Sequence, residues 1–175
     1  AQFIVNGVST GFSSQIVTGG PSLDKLTRFY FIGGAGYSIY QAEVTASQPA
    51  FRLIYTLPDV YTDRQLFYDF LSNRICFLGK RTASSDWRLI AVNLDGTLAY
   101  TVILPASFSY SIANQFAHRM SDGYAVITDF AGESFLTDLS DGSLASITAT
   151  VYSPFLYDQL TASIYTDNPD FWTRI

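Results

Sequence analysis

Residues 66–105 read LFYDFLSNRICFLGKRTASSDWRLIAVNLDGTLAYTVILP, and this stretch decides the fold class. It holds four apolar runs, at 66–71, 74–79, 87–94 and 98–104, separated by Ser72-Asn73, by a polar loop over 80–86 and by Asp95-Gly96. Short runs rich in Val, Ile, Leu, Phe, Tyr and Thr, broken by Gly, Asp, Asn and Ser, are strands joined by turns. Asp-Gly between two such runs signals a tight hairpin, because both residues tolerate the positive φ of a type I′ turn.

The stretch closes on Val102-Ile103-Leu104-Pro105, and the same close appears at Tyr55-Thr56-Leu57-Pro58 and Val151-Tyr152-Ser153-Pro154, at spacings of 47 and 49 residues. Gln65, Gln115 and Gln159 follow the three prolines, with an earlier copy at Gln15. A fixed period of this size marks an array of supersecondary units. Outward from the quoted stretch, the next unit has runs at 116–120, 124–130, 134–139 and 144–151, punctuated by Asp122-Gly123, Ala131-Gly132 and Asp141-Gly142. The preceding unit has runs at 14–18, 28–32, 37–44 and 51–57, with Gly19-Gly20-Pro21 in its first connection. Two further runs, 160–165 and 171–175, flank Asp167-Asn168-Pro169. The expected units are therefore 11–58, 59–105 and 106–154, with a partial fourth over 155–175. Residues 1–10, through the run 3–8, supply a candidate closing strand. Helix is expected at most as short turns: Ser153-Pro154 can start one running to residue 160, with Pro at the first helical position, and 59–71 carries apolar residues near helical spacing.

Four antiparallel strands in each unit of about 40–50 residues is the pattern of a β-propeller blade, so the chain resembles β-propeller repeat proteins in period and strand count over almost its full length. The signatures of named blade families are missing, and Ser84-Ser85-Asp86-Trp87 has letters of a sialidase-type aspartate box in another order. The resemblance implies an all-β fold of about three and a half blades: a small four-bladed ring, a piece of a larger propeller, or an open array completed by another subunit.

Composition narrows the function. Of 175 residues, 48% are hydrophobic, 16% aromatic and 14% charged, which describes a folded chain rather than a disordered one. The net charge of −5 is uneven: residues 1–105 carry eight Lys/Arg and seven Asp/Glu, whereas residues 106–175 carry two against eight. Without a basic cluster to displace counterions, nucleic acid is not an expected partner. No apolar run reaches the ~20 residues of a membrane-spanning helix. The lone cysteine, Cys76, rules out an internal disulfide and reads as a buried thiol. The chain begins at Ala1, as expected of a processed protein or part of a longer polypeptide.

Candidate sites are sparse. His118, the single histidine, and Arg119 fall in the first run of their unit, and Asp69 falls in the matching run of the unit before. In propellers that strand borders the central channel, so the three are the candidates for hydrolytic chemistry. No Gly-x-Ser-x-Gly elbow is present, and two glutamates give no marked carboxylate pair. One His and one Cys do not make a zinc set. No cofactor is expected, although Asp138 and Asp141 supply oxygen ligands of the kind Ca2+ takes, beside a turn that also reads as an ordinary hairpin. Tyr61, Phe108, Tyr110, Phe155 and Tyr157 lie in the connections, either as contact surface for a protein or a sugar or as packing between adjacent units. The expectation is a non-enzymatic interaction or structural module. Its partner is a protein or a second copy of itself, in an exported, extracellular or virion-type assembly. The alternatives are a glycan-binding module and a hydrolase using Asp69 and His118.

Overall fold

A computed structural model describes residues 2–5, 8–13, 28–33, 38–44, 49–69, 71–108, 117–119, 123–128, 134–147, 155–158, 163–168 and 171–174. These form sixteen strands and no helix: β1 (Gln2–Val5), β2 (Val8–Ser13), β3 (Arg28–Gly33), β4 (Ser38–Val44), β5 (Pro49–Thr56), β6 (Tyr61–Asp69), β7 (Arg74–Arg81), β8 (Trp87–Asn93), β9 (Leu98–Ile103), β10 (Ala117–Arg119), β11 (Tyr124–Thr128), β12 (Ser134–Asp138), β13 (Leu144–Ile147), β14 (Phe155–Asp158), β15 (Ser163–Asn168) and β16 (Phe171–Arg174). Each strand pairs antiparallel with its neighbour in sequence, giving sheets β1-β2, β3-β4-β5, β6-β7-β8-β9, β10-β11-β12-β13 and β14-β15-β16. The all-β class and the two four-stranded units follow the expectation closely. No helix of the described residues is long and apolar enough to cross a membrane.

Three expectations change. The turn envisaged over 153–160 is a strand where it is described: β14 pairs with β15 from Phe155 opposite Thr166 to Asp158 opposite Ser163. Cross-strand pairing outweighs the local preference of Ser-Pro to begin a helix. Second, 61–69 is one strand and not a helical segment, bulged between Thr62 and Gln65, with Asp63 at a φ of 47°. Third, the turn at Asp95-Gly96 has positive φ at Gly96 alone. Gly96 N–H donates to the Asn93 carbonyl at 2.9 Å and Asn93 N–H donates to the Thr97 carbonyl at 2.9 Å. That is a tight turn followed by a left-handed glycine, in place of type I′. The run 14–18 lies outside the described residues.

The central strands β7 and β8 are covered on both faces, which is why they read as continuous apolar runs instead of alternating ones. In β7 the side chains alternate between two cores. Ile75 and Phe77 join Leu66, Tyr68, Ile90 and Val92 against Tyr30, Ile32, Ile39 and Ile54 of the β3–β5 sheet. Cys76 and Leu78 join Phe67, Leu89 and Ala91 against Ala125, Ile127 and Phe135 of the β10–β13 sheet. Strand β6 lies beside both β3 and β10. Burying a Leu or Phe side chain this fully contributes about 1.5–3 kcal/mol, so the two interfaces are the main source of stability among the described residues.

Candidate functional site

The hairpin joining β6 to β7 begins at Asp69, which is 1% exposed. Its Oδ1 accepts the Leu71 N–H at 3.1 Å, and its Oδ2 accepts the Ser72 N–H at 3.2 Å and the Ser72 hydroxyl. Asn73, at a φ of 58°, completes the turn and accepts the Tyr68 hydroxyl at its Oδ1. An Asp at this place lets the chain reverse with its buried amides satisfied. Across the sheet junction, the turn between β12 and β13 is built in the same manner. Asp138 Oδ1 accepts the Ser140 N–H at 2.8 Å, and Asp141 Oδ1 accepts the Ser143 N–H at 2.8 Å. The two turns, with Gly123 and Tyr124 at the start of β11, enclose an open cleft of about 330 Å3 lined by Asp69, Leu71, Ser72, Asp138 and Ser140.

Arg74 ties the cleft together from behind. Its Nη1 donates to the Ser140 carbonyl at 2.6 Å, its Nε donates to Asn93 Oδ1 at 3.1 Å, and its guanidinium lies 6.0 Å from the Tyr100 ring centre. The Tyr100 hydroxyl donates to the Leu139 carbonyl at 3.1 Å. A counterpart stands at the other junction, where Arg52 Nη2 donates to the Leu94 carbonyl at 3.0 Å. In both cases the last strand of one sheet holds the Asp-Gly turn of the next. Glycine is required at each: a Cβ on Gly96 would stand 2.6 Å from the Ile54 carbonyl oxygen, and one on Gly142 2.6 Å from Val102 Cγ2.

Asp69 lines the cleft, but its carboxylate is occupied by its own turn. His118 and Arg119 lie on β10, opposite Val126 and Ala125, and β10 runs beside β6. Tyr61 and Phe108 are 2% and 4% exposed and sit in the cores. Tyr61 meets Phe77 edge-on at 5.1 Å, and Phe108 meets Trp87 edge-on at 5.4 Å. Burial removes these two from any contact surface. They pack between sheets, the second role that the connections allowed. Tyr110 lies outside the described residues. Phe155 and Tyr157 lie on β14, opposite Thr166 and Ile164. Asp138 and Asp141 serve their turns, and no group of three His, Cys, Asp or Glu able to hold a metal occurs among the described residues. Cys76 is fully buried; burial, then the nearby Asp69 charge, pushes its thiol up to about 12, so it is inert as a nucleophile.

Sequence reasoning missed an ion network at the opposite end of the β6–β9 sheet. Asp86 accepts from Arg88 Nε at 2.6 Å, and Arg81 lies 3.4 Å from Asp59 and 3.5 Å from Asp86. The hydrogen bond from Arg88 is the main cause that holds the Asp86 carboxyl below its ordinary range. Burial raises the Tyr61 hydroxyl, with the Arg88 charge opposing. The buried role of the connection aromatics did have a signal: Pro58-x-x-Tyr61, Pro105-x-x-Phe108 and Pro154-x-x-Tyr157 share one spacing. In the first two, the Leu before the proline (Leu57, Leu104) is buried in the same core as the aromatic. No family model matches the chain, and no curated protein matches it in sequence.

Proposed function

We propose that this chain is a propeller-like, non-enzymatic interaction module of an exported, surface or virion-type assembly, recognising a protein partner through its loops or sheet edges. One observation carries the reading. The carboxylates best placed for chemistry, Asp69 and Asp138, accept hydrogen bonds from their own turns, while apolar Leu53, Val60, Leu71, Leu98 and Ile103 stand exposed. A general base must reach a substrate proton, and a turn-capping carboxylate is poorly placed for it. The propeller-like part is supported by face-to-face stacking of successive meander sheets, by the position of β6 between β3 and β10, and by the recurring hold of each last strand on the next Asp-Gly turn.

The test is turnover of a panel of chromogenic ester, glycoside and phosphodiester substrates by the wild-type chain and Asp69→Asn. The module reading expects no turnover that depends on Asp69. A loss of more than about 100-fold on Asp69→Asn, with the fold retained, would establish a hydrolase instead.

A further inference from the structure

We infer that the outer edge of β9 is a self-association surface, pairing antiparallel with β9 of a second copy about a two-fold axis at Thr101. This deepens the reading above by naming which edge is used and by what. Strand β9 ends the order of its sheet, and its sequence, LAYTVI, has neither charge nor proline. Natural edge strands are normally guarded by such residues. The edge strand β5 shows the contrast, with Pro49 at its start and exposed Arg52 at its centre. The bulge opposite Ala91 and Val92 sets the geometry of β9. It brings Leu98 opposite Val92, while Thr101 stands opposite Ile90 and Ile103 opposite Arg88, so Leu98, Thr101 and Ile103 share one face. All three are exposed, Leu98 by 49% and Ile103 by 60%.

That arrangement is self-complementary. With Ala99 as the extra residue of the bulge, an antiparallel pairing centred on Thr101 sets Thr101 against its own copy and Leu98 of each strand against Ile103 of the other. Threonine pairs and aliphatic pairs are both favourable across strands. Charge permits the approach: residues 1–105 are nearly neutral, the acidic excess lies in 106–175, and Arg88, the cation opposite Ile103, is held by Asp86. Six residues span only about 20 Å, well short of a standard interface, so association is expected in the micromolar range and must depend on concentration.

Sedimentation equilibrium tests this on the wild type, Ile103→Lys and Leu53→Lys, with circular dichroism confirming the fold of each. The wild-type mass is expected to rise toward twice the chain mass by about 100 µM. Ile103→Lys should weaken association at least 10-fold, and Leu53→Lys, exposed on another edge, should leave it unchanged. A second variant reads the register directly. Directly opposed residues in antiparallel strands lie about 4.5–5.5 Å apart at Cα, within disulfide range, so Thr101→Cys should form a covalent dimer on mild oxidation and Leu53→Cys should not. A monomer at every concentration overturns the inference, as does a dimer indifferent to Ile103→Lys and uncrosslinked at Thr101→Cys. Neither result touches the module reading, which stands or falls on Asp69-dependent turnover.

Discussion

The two junctions of the β6–β9 sheet are built from the same parts to different degrees of closure. Toward β3–β5 the core is aromatic and aliphatic, with Tyr30 stacked on Tyr68 at 5.3 Å and Tyr61 edge-on to Phe77. The turn there is held by Arg52, an exposed side chain. Toward β10–β13 the core gathers Trp87, Phe108 and Phe135 around small residues, and the turn is held twice, by half-buried Arg74 and Tyr100. A hydrogen bond shielded from water is worth more than one that competes with it, and leaving its acceptor bare costs more. The second junction is therefore the stiffer, and it is the one that carries the cleft.

Emptying either core should have the largest effect. Phe77→Ala and Trp87→Ala should each cost about 3–5 kcal/mol in denaturant unfolding, and a cost under about 1 kcal/mol on either would mean that its junction is not a packed interior. Next come the docking glycines. A side chain at Gly96 or Gly142 adopts a left-handed φ and meets a neighbour, but the neighbour of Gly96 is a backbone carbonyl and that of Gly142 a pair of side chains that can shift. Gly96→Ala should thus cost about 2–4 kcal/mol, and Gly142→Ala about 1 kcal/mol less. Equal costs would erase the distinction between a backbone and a side-chain seat.

The hydrogen-bonded holds at the two junctions differ by less. Arg74→Met should cost about 1–3 kcal/mol, because Asn93 and the Leu139 carbonyl each lose a part-buried bond, whereas Arg52→Met, which gives up one exposed bond to Leu94 and one part-buried bond to Gln41, should cost about 1 kcal/mol or less. The reverse order would make the first junction the stiffer one. Smallest is the ion network shared by neither junction. Arg88 lowers the folded-state pKa of Asp86, so the pair stabilises the fold above the usual carboxylate pKa of about 4 and that contribution is lost as pH falls through the lowered value. Asp86→Asn should lower stability by about 1 kcal/mol or less at pH 7, and the difference from wild type should vanish by about pH 2, as followed by thermal melts. A difference that persists in acid would assign Asp86 a packing role instead.

Much of the fold was legible because strand pairing between neighbours in sequence is a local matter. Turn chemistry at Ser72-Asn73, Asp95-Gly96 and Asp141-Gly142 divides the chain into hairpins whatever surrounds them, and between residues 28 and 147 the strands overlap the apolar runs, whereas β1, β2 and β14 do not coincide with one. Less of the site was legible. Asp69 was marked by its place in the first strand, yet its role is to cap a turn two and three residues on, which depends on how that turn closes. Tyr61 and Phe108 looked like loop aromatics, since a connection between sheets reads the same whether it runs over the surface or tucks between two faces.

The all-β class, the antiparallel meanders and the place of nearly every described turn are written in the residues themselves, because residue-level preferences for extended or left-handed backbone settle those. The stacking of the sheets sets which face of each strand meets which neighbour. It sent Ile75 and Cys76, adjacent in the chain, into different cores, and pairing with β15 turned 155–158 into a strand. Contacts between residues tens of positions apart, such as Arg74 with Ser140, exist only once whole sheets stack, and no local pattern encodes them.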